Sequence, residues 1–237
     1  MILITRPKEE SKYLLSKLNK YGLQTFQENF YSIKYCKNNI NFDKDIYYIF
    51  PSLHSVKSLI KSNQINKFYE AKILVIGLKV KQALKEIGCK KILKTTKDSK
   101  GLTYFLKSLK FKNNNFIYLG SNITNNDFFQ KTNKLKIRIE KKIIYKTIPR
   151  LKLSNNLVAK INRSEIKAIL FYSLLATETF LKLLSDYEIK LVKKNIKLFC
   201  ISERVAVPLV KSKFKLVYVS QMPNQTAIIK LVRNHFI

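Results

Sequence analysis

The chain alternates short apolar runs with longer stretches in which apolar residues recur at helical spacing. It opens with a β-rich run from Ile2 to Thr5, and the helical stripe that follows stops at Gly22. The runs at 46–50, 73–77 and 116–119 are typical of buried strands, and helical stripes follow the first two. Strands that alternate with helices of this length predict an α/β protein with βαβ units and mostly parallel sheets.

The segment between 98 and 139 predicts a helix, a turn and a further strand. An amphipathic helix is expected after Asp98 and runs through Leu109, and a turn is expected at 113–115. Beyond the strand that ends at Gly120-Ser121, the alternation of apolar residues from Leu135 to Ile139 predicts another strand.

The order of these elements occurs twice along the chain. The matched segments are 45–88 with 167–210, and 2–35 with 116–145. In the first pair a strand ends at a serine (Ser52, Ser173), and a second strand ends at a small residue (Gly77, Ser202) before a helix. This order predicts two similar domains, and the alternative is a shared architecture without a repeat.

Ligands of open parallel sheets bind at the carboxyl ends of the strands, where helix N-termini present free backbone N–H groups. The candidate corners are Ser52-Leu53-His54, Gly77-Leu78-Lys79, Gly120-Ser121-Asn122, Ser173-Leu174-Leu175 and Ser202-Glu203-Arg204. Amides and hydroxyls at such corners suit a ligand with many carboxylates. The alternative for each corner is that its serine or glycine only caps a helix and turns the chain.

Charge and size narrow the class of protein. The 237 residues are enough for one large or two small α/β domains, and the 46% hydrophobic content is that of a globular protein. The formal net charge of +31 points to a polyanionic partner such as nucleic acid, anionic lipid or a polycarboxylate. Lysines are dispersed, however, and Asn, Ile, Phe and Tyr are also abundant, which favours a compositional origin of the charge.

Several kinds of chemistry are disfavoured by the residues that are absent. The three cysteines lie far apart, and with only two histidines no metal-ligand spacing occurs, so neither a disulfide framework nor a metal site is expected. GxGxxG, P-loop and GxSxG motifs are missing, and no cofactor is expected. No signal-peptide core or segment of about 20 apolar residues is present, which predicts a cytoplasmic protein without a membrane span.

Seven segments, which follow one another along nearly the whole chain, resemble one known family. They are Ile4-Thr5-Arg6-Pro7, Asp45 to Val56, Ile76-Gly77 with the helix to Gly88, Tyr118-Leu119-Gly120, Ile144-Tyr145-Lys146-Thr147, Ile169 to Ser173, and Cys200 to Ala206. In type, order and spacing they are similar to the uroporphyrinogen-III synthase family. The chain departs from that pattern at Pro51, Val80, Ser202 and Val205, where a family hydroxyl or glycine is replaced.

The resemblance implies two flavodoxin-like domains with parallel sheets, joined by a two-stranded connector, with the active site in the interdomain cleft. One domain would comprise residues 1–34 plus 150–237 and the other residues 37–145, with the connectors near 34–37 and 146–150. It also adds Thr5 and Arg6 to the substrate-binding residues.

The resemblance further implies that the substrate is hydroxymethylbilane, a polycarboxylate tetrapyrrole that is closed to uroporphyrinogen III with loss of water and inversion of its last ring. Tyr145 would be the catalytic residue, because a protonated phenol can donate to the departing hydroxyl; the alternative is a packing tyrosine. The expected partner is this small molecule alone, without nucleic acid, and the protein is expected to be a monomer. A basic nucleic-acid-binding protein and a non-catalytic two-domain small-molecule binder are the alternative functions.

Overall fold

The computed structural model of the protein describes residues 1–37, 39–108, 115–124, 126–186 and 195–237. Within these ranges the chain forms two compact units. The first unit comprises Met1–Ser32 with Ile148–Ile237, and the second comprises Ile33–Thr147.

Strands and helices alternate along both units. The strands are β1 (Ile2–Ile4), β2 (Thr25–Gln27), β3 (Tyr31–Tyr35), β4 (Tyr47–Phe50), β5 (Lys72–Ile76), β6 (Ile92–Thr96), β7 (Phe116–Ser121), β8 (Ile139–Pro149), β9 (Ala168–Phe171), β10 (Lys197–Cys200) and β11 (Val217–Val219). The helices are α1 (Lys8–Lys20), α2 (Leu53–Lys61), α3 (Leu78–Glu86), α4 (Ser99–Ser108), α5 (Asn126–Lys134), α6 (Asn155–Asn162), α7 (Leu174–Asp186), α8 (Glu203–Lys211) and α9 (Gln225–Phe236), with a short 3-10 helix at Ile65–Phe68.

The sheet of the first unit has the strand order β11-β10-β9-β1-β2, and each neighbouring pair is parallel. Its central strands are apolar along their length because helices cover both faces. Leu3 packs in the core beneath α6, α7 and α8, whereas Ile2 and Ile4 pack in the core beneath α1 and α9. The sheet is therefore a buried middle layer.

The sheet of the second unit has the order β3-β8-β7-β4-β5-β6. The pairs from β8 to β6 are parallel. Tyr48 and Phe50 face the core beneath α2 and α3, while Ile49 faces the core beneath α4 and α5. The prediction of an α/β fold with parallel sheets is confirmed.

The two sheets repeat the same strand arrangement. The order β6-β5-β4-β7-β8 in the second unit corresponds to β11-β10-β9-β1-β2 in the first. The register agrees as well. Tyr118 of β7 pairs with Ile49 of β4, and at the equivalent positions Ile4 of β1 pairs with Leu170 of β9. The internal repeat that the sequence predicts is thus present in the sheet topology. In each unit, successive strands are added to the sheet in opposite directions on the two sides of a central point. This point lies between β4 and β7 in the second unit and between β9 and β1 in the first unit.

Some predicted element boundaries were wrong. Leu135 and Ile137 belong to the turn after α5 and not to a strand, since β8 begins at Ile139 and Lys136 has a positive φ of 57°. Their alternation arose because both side chains pack into the same core, which mimics a strand. The predicted end of a strand at Gly120-Ser121 is confirmed, because β7 ends at Ser121. Leu109 and Asn113-Asn114 lie outside the described residues.

Two further results concern the part of the chain that the structure describes. No helix there is long and apolar enough to cross a membrane. No three His, Cys, Asp or Glu side chains come together there in a way that could hold a metal ion.

Candidate active site

The carboxyl ends of parallel strands meet at one edge of each sheet, and the point where the strand order reverses is the usual ligand site of such sheets. In the second unit this point is formed by the residues that follow β4 and β7, and in the first unit by those that follow β9 and β1.

Ser52 and Tyr145 are hydrogen-bonded to each other at the edge of the second unit. The two hydroxyl oxygens are 2.9 Å apart, and either group can donate. Ser52 is also the N-cap of α2, because its Oγ accepts a hydrogen bond from the backbone N–H of His54 at 3.1 Å. A residue that the sequence marks as a helix cap thus also holds the candidate catalytic phenol.

Tyr145 is 6% exposed, and its ring lies beside the imidazole of His54, with 5.5 Å between the ring centroids. Burial raises the pKa of the phenol, and the hydrogen bond with Ser52 partly opposes this change. At neutral pH the phenol is therefore protonated and can act as a hydrogen-bond or proton donor.

The backbone around Tyr145 is held by buried serines of α2. Ser55 donates to the carbonyl oxygen of Leu119 at 2.7 Å, and Ser58 donates to the carbonyl oxygen of Ile144. Both serines are essentially unexposed. These bonds fix α2 to β7 and to the part of β8 that carries Tyr145, and so position the phenol.

Ser121 and Thr147 join the ends of β7 and β8. Their hydroxyl oxygens are 2.9 Å apart, and the backbone N–H of Thr147 donates to Asn122 Oδ1 at 2.8 Å. Lys141 donates to the carbonyl oxygen of Asn122 at 3.2 Å, and burial lowers the pKa of its ammonium group. Thr147 was not predicted as a site residue, although its place two positions after Tyr145 offered a signal.

Gly120 allows the ring of Tyr118 to lie against the backbone of β7. A Cβ atom on Gly120 would lie 2.8 Å from Cδ1 of Tyr118 and would overlap the ring. Burial, and to a smaller extent the neighbouring Tyr145, raises the pKa of Tyr118. The role of Gly120 is therefore to leave space for a second phenol close to Tyr145.

The remaining predicted residues of the second unit lie at the starts of α2 and α3. Gly77 has a positive φ of 97°, and its carbonyl oxygen accepts hydrogen bonds from the N–H groups of Val80 and Lys81. Lys79 is exposed in the first turn of α3, whereas Leu53 at the start of α2 is half-buried. Val80, which replaces a family threonine, is buried and offers no hydroxyl.

Thr5 and Arg6 lie at the central edge of the first unit. The hydroxyl of Thr5 is buried and donates to the carbonyl oxygen of Leu170 at 2.6 Å, which ties β1 to β9. Arg6 forms an ion pair with Glu10 at 2.8 Å, and its guanidinium lies 4.6 Å from the ring centroid of Tyr172. Within the described residues, Arg6 Nε and the Tyr172 hydroxyl are buried and have no hydrogen-bond partner.

The other predicted residues of the first unit begin α7 and α8. Ser173 accepts a hydrogen bond from the N–H of Ala176 at 3.2 Å, and Leu174 and Leu175 form the first, half-buried positions of α7. Ser202 precedes α8 without a side-chain cap bond. The next two residues, Glu203 and Arg204, are exposed.

The structure thus sorts the predicted residues into two sets at equivalent sheet edges. The second unit holds Ser52, Leu53, His54, Gly77, Lys79, Gly120, Ser121 and Tyr145, and the first unit holds Thr5, Arg6, Ser173, Leu174, Leu175, Ser202, Glu203 and Arg204. Helix N-termini and hydroxyls at the switch points of doubly wound sheets are the features with which α/β enzymes bind anionic small molecules.

Comparisons with known proteins agree with this class. Residues 2–230 match the profile of the family described as uroporphyrinogen-III synthase HemD. No curated protein matches the sequence of this chain at a significant level.

Two solved structures share the fold at low sequence identity. A mutant uroporphyrinogen III synthase from the extremely thermophilic bacterium Thermus thermophilus is 12% identical, with 99% of this chain and 98% of that chain covered and a TM-score of 0.63. Uroporphyrinogen-III synthetase from Helicobacter pylori is 12% identical, with 99% of this chain and 98% of that chain covered and a TM-score of 0.66.

The chain belongs to the uroporphyrinogen-III synthase family, because the family profile covers nearly its whole length. It is accordingly a cyclising hydro-lyase of porphyrin biosynthesis that acts on a tetrapyrrole. The family and the function that the sequence motifs predicted are confirmed, whereas the roles of individual residues stay predictions.

Proposed function

We propose that Tyr145 is the general acid with which this chain closes hydroxymethylbilane to uroporphyrinogen III. The phenol donates its proton to the departing hydroxyl, and the C–O bond breaks to release water and leave an electrophilic azafulvenium cation. The substituted carbon of the last ring then attacks this cation to form a spiro intermediate. The bond between that carbon and its original bridging methylene breaks, and the methylene forms a new bond to the free α-carbon of the ring, which inverts the ring. The proton lost on aromatisation of that ring balances the one that Tyr145 supplied.

The observation that carries this assignment is the hydrogen bond between Tyr145 and Ser52 at the switch point of the second unit. Ser52 is held by α2, so it fixes the direction of the phenol. Burial raises the pKa of Tyr145, so the phenol is protonated at neutral pH. A donor that is both oriented and protonated is the requirement for general-acid catalysis.

The edge residues of each unit are proposed to bind the acetate and propionate groups of the substrate. The exposed cations Lys79 and Arg204 stand in the first turns of α3 and α8, where the helix dipole also favours an anion. The uncatalysed closure gives the isomer in which the last ring is not inverted. The main contribution of these residues is therefore to hold one folded conformation of the bilane.

The proposal also covers the domains, the oligomeric state, the cellular location and the partner of the protein. The two compact units would act as two domains, and the enzyme would work as a monomer in the cytoplasm. The dispersed lysines give no recognised nucleic-acid motif, which supports a small molecule as the sole partner.

A coupled assay tests the proposed function. Hydroxymethylbilane is generated in place, and the oxidised products are separated into isomers I and III. The purified wild-type protein should shift the product from isomer I to mainly isomer III. If the product is still mainly isomer I while circular dichroism shows a folded α/β protein, the proposal is wrong.

A further inference from the structure

A groove with a volume of about 270 Å³ lies between α1 and α9 of the first unit. The residues that form it are spaced three or four positions apart, as on one face of a helix, and include Tyr13, Lys17 and the C-cap Tyr21 of α1 and Ile229, Lys230 and Arg233 of α9. Pockets for drug-sized ligands measure about 300–1,000 Å³, so an occupant of this groove is smaller than a tetrapyrrole.

The base of the groove is apolar, whereas its sides are cationic. Ile229 is 6% exposed, and it packs with Tyr21 in the core beneath α1 and α9. Lys17 is half-buried, and Lys230 and Arg233 are exposed. The groove therefore combines apolar surface with three positive charges.

Two of these cations lie against tyrosine rings. Lys17 Nζ is 5.6 Å from the centroid of the Tyr13 ring, and Arg233 Cζ is 5.9 Å from that of the Tyr21 ring. Within the described ranges, the groove has no carboxylate in its lining, and Lys17, Lys230 and Arg233 form no ion pair. The protein thus leaves the positive charge of the groove without a counter-charge.

The groove is separate from the sheet edge that carries the candidate active-site residues. α1 begins just after Arg6, at the carboxyl end of β1. It ends near Gln24, whose carbonyl oxygen accepts a hydrogen bond from the N–H of Ile2 at the opposite end of β1. Among the described residues that line the groove, none is a predicted substrate-binding residue.

We propose that this groove is a second ligand site, which binds a small phosphate ester. Three cations from two helices match the double charge and the three oxygens of a phosphate group, whereas a carboxylate offers one charge and two oxygens. Ile229 and the rings of Tyr13 and Tyr21 supply apolar surface for the organic part of the ester. The site takes no part in ring closure, so the inference does not depend on the proposed function.

Adenosine monophosphate (AMP) is the probe, because it joins one phosphate to a compact aromatic body. In calorimetric titration of the full chain at low salt, Lys17→Gln with Arg233→Gln should weaken AMP binding at least tenfold, that is, by about 1.4 kcal/mol or more, because charge-assisted hydrogen bonds are lost. Lys230→Gln should act in the same direction. AMP should also raise the Tm of wild type more than that of the double variant.

The matched control for charge is Lys182→Gln with Lys211→Gln. It removes two exposed cations from α7 and α8, which cover the opposite face of the same sheet. This pair should bind AMP as wild type does. Lys17→Gln with Arg233→Gln should in turn form isomer III at the wild-type rate, since the groove lies away from the candidate active site.

Two further ligands test the chemistry of the groove. Glutarate, a small dicarboxylate, should bind at least about tenfold more weakly than AMP, because each of its groups carries one charge. Inorganic phosphate should also bind about tenfold more weakly, because it has no body to contact the apolar base.

Each result decides the inference. Absence of AMP binding to wild type, or equal AMP affinity of wild type and the groove variants, overturns it. Equal weakening by the control pair also overturns it, because net charge alone would then govern binding. Glutarate that binds as tightly as AMP contradicts a phosphate site, and inorganic phosphate that does so contradicts a site for an ester. A wild-type protein that binds AMP at the groove but forms no isomer III contradicts only the proposed function.

Discussion

The hydroxyl oxygens of Tyr145 and Ser52 lie 2.9 Å apart, and Ser52 at the same time caps α2 through the N–H of His54. The cap fixes the serine and the serine fixes the phenol, so the direction in which Tyr145 donates is determined by where a helix begins. Replacing Tyr145 by phenylalanine therefore removes only the hydroxyl and leaves the ring packed.

Tyr145→Phe should therefore keep the fold and slow the reaction. The ring still fills its place, and losing one hydrogen bond to Ser52 should cost about 1 kcal/mol or less of the free energy of unfolding. General-acid assistance contributes roughly 10²–10⁴-fold, and we expect a loss of kcat near the lower end because the bilane hydroxyl leaves readily. The residual product should still be mainly isomer III, as measured by product separation.

Tyr69→Phe serves as the control for the loss of a tyrosine hydroxyl. Tyr69 donates to Asn66 Oδ1 at 2.8 Å on the surface of the same unit. Its variant should turn over at the wild-type rate. If Tyr145→Phe does the same, or if it unfolds, Tyr145 is a structural residue and the catalytic assignment is withdrawn.

The serines of the candidate site could be predicted because their signal is local. Ser52 and Ser173 each follow an apolar run and precede a helical stripe, and both positions are helix starts in the structure. The bond between Ser52 and Tyr145 could not be predicted, because the two residues are 93 positions apart and meet only through the pairing of three strands.

The sequence predicted the repeated succession of strands and helices, but it predicted no order of the strands within a sheet. The edge strands β6 and β11 were not predicted: β6 ends in Lys94-Thr95-Thr96 and β11 has only three residues, so neither gives a long apolar run. Edge strands are partly exposed and need less apolar sequence than central ones. The role of Gly120 was also hidden, since it depends on the direction of the Tyr118 ring.

Stability should fall as the pH rises above about 9. Burial raises the pKa of the Cys200 thiol from 9.0 to about 12 and that of Cys89 from 9.0 to about 11. Between these values the unfolded chain loses thiol protons that the native chain keeps, so unfolding becomes more favourable as pH increases. The slope is at most about 1.4 kcal/mol per pH unit for each thiol.

Urea unfolding between pH 8 and 11 measures this slope. Cys200→Ala should flatten the decline, whatever its effect on stability at pH 8. Cys36→Ala, which removes the partly exposed thiol, is the control and should keep the wild-type slope. Equal slopes for wild type and Cys200→Ala would contradict the prediction.

Gly120→Ala should destabilise the second unit. The added methyl group would overlap the ring of Tyr118, which is packed against Phe128 and Phe129 and has little room to move. Overpacking of this kind costs roughly 1–3 kcal/mol, measurable by urea unfolding. In a protein that already carries Tyr118→Leu, Gly120→Ala should cost less free energy of unfolding, because the smaller side chain removes the overlap.

Gly101→Ala is the matched control for this substitution. Gly101 lies in α4, and the Cβ of an alanine there would meet its nearest atom, Cβ of Thr96, at 3.4 Å. An alanine in a helix is favoured over glycine by up to about 1 kcal/mol. The two substitutions should thus change stability in opposite directions, and a destabilising Gly101→Ala together with a neutral Gly120→Ala would refute the packing argument.

Charge reversal at the starts of α3 and α8 should weaken substrate binding without weakening the fold. Lys79→Glu with Arg204→Glu replaces exposed cations in the first helical turns, where a carboxylate interacts favourably with the helix dipole. We expect KM for hydroxymethylbilane to rise about tenfold, an effect that added salt should reduce.

The matched control is Lys85→Glu with Lys211→Glu, which makes the same charge change in the last turns of the same helices. The control should lower stability slightly, because its carboxylates face the negative helix ends, and should leave KM near the wild-type value. If both pairs raise KM equally, net charge and not the sheet edge governs substrate binding.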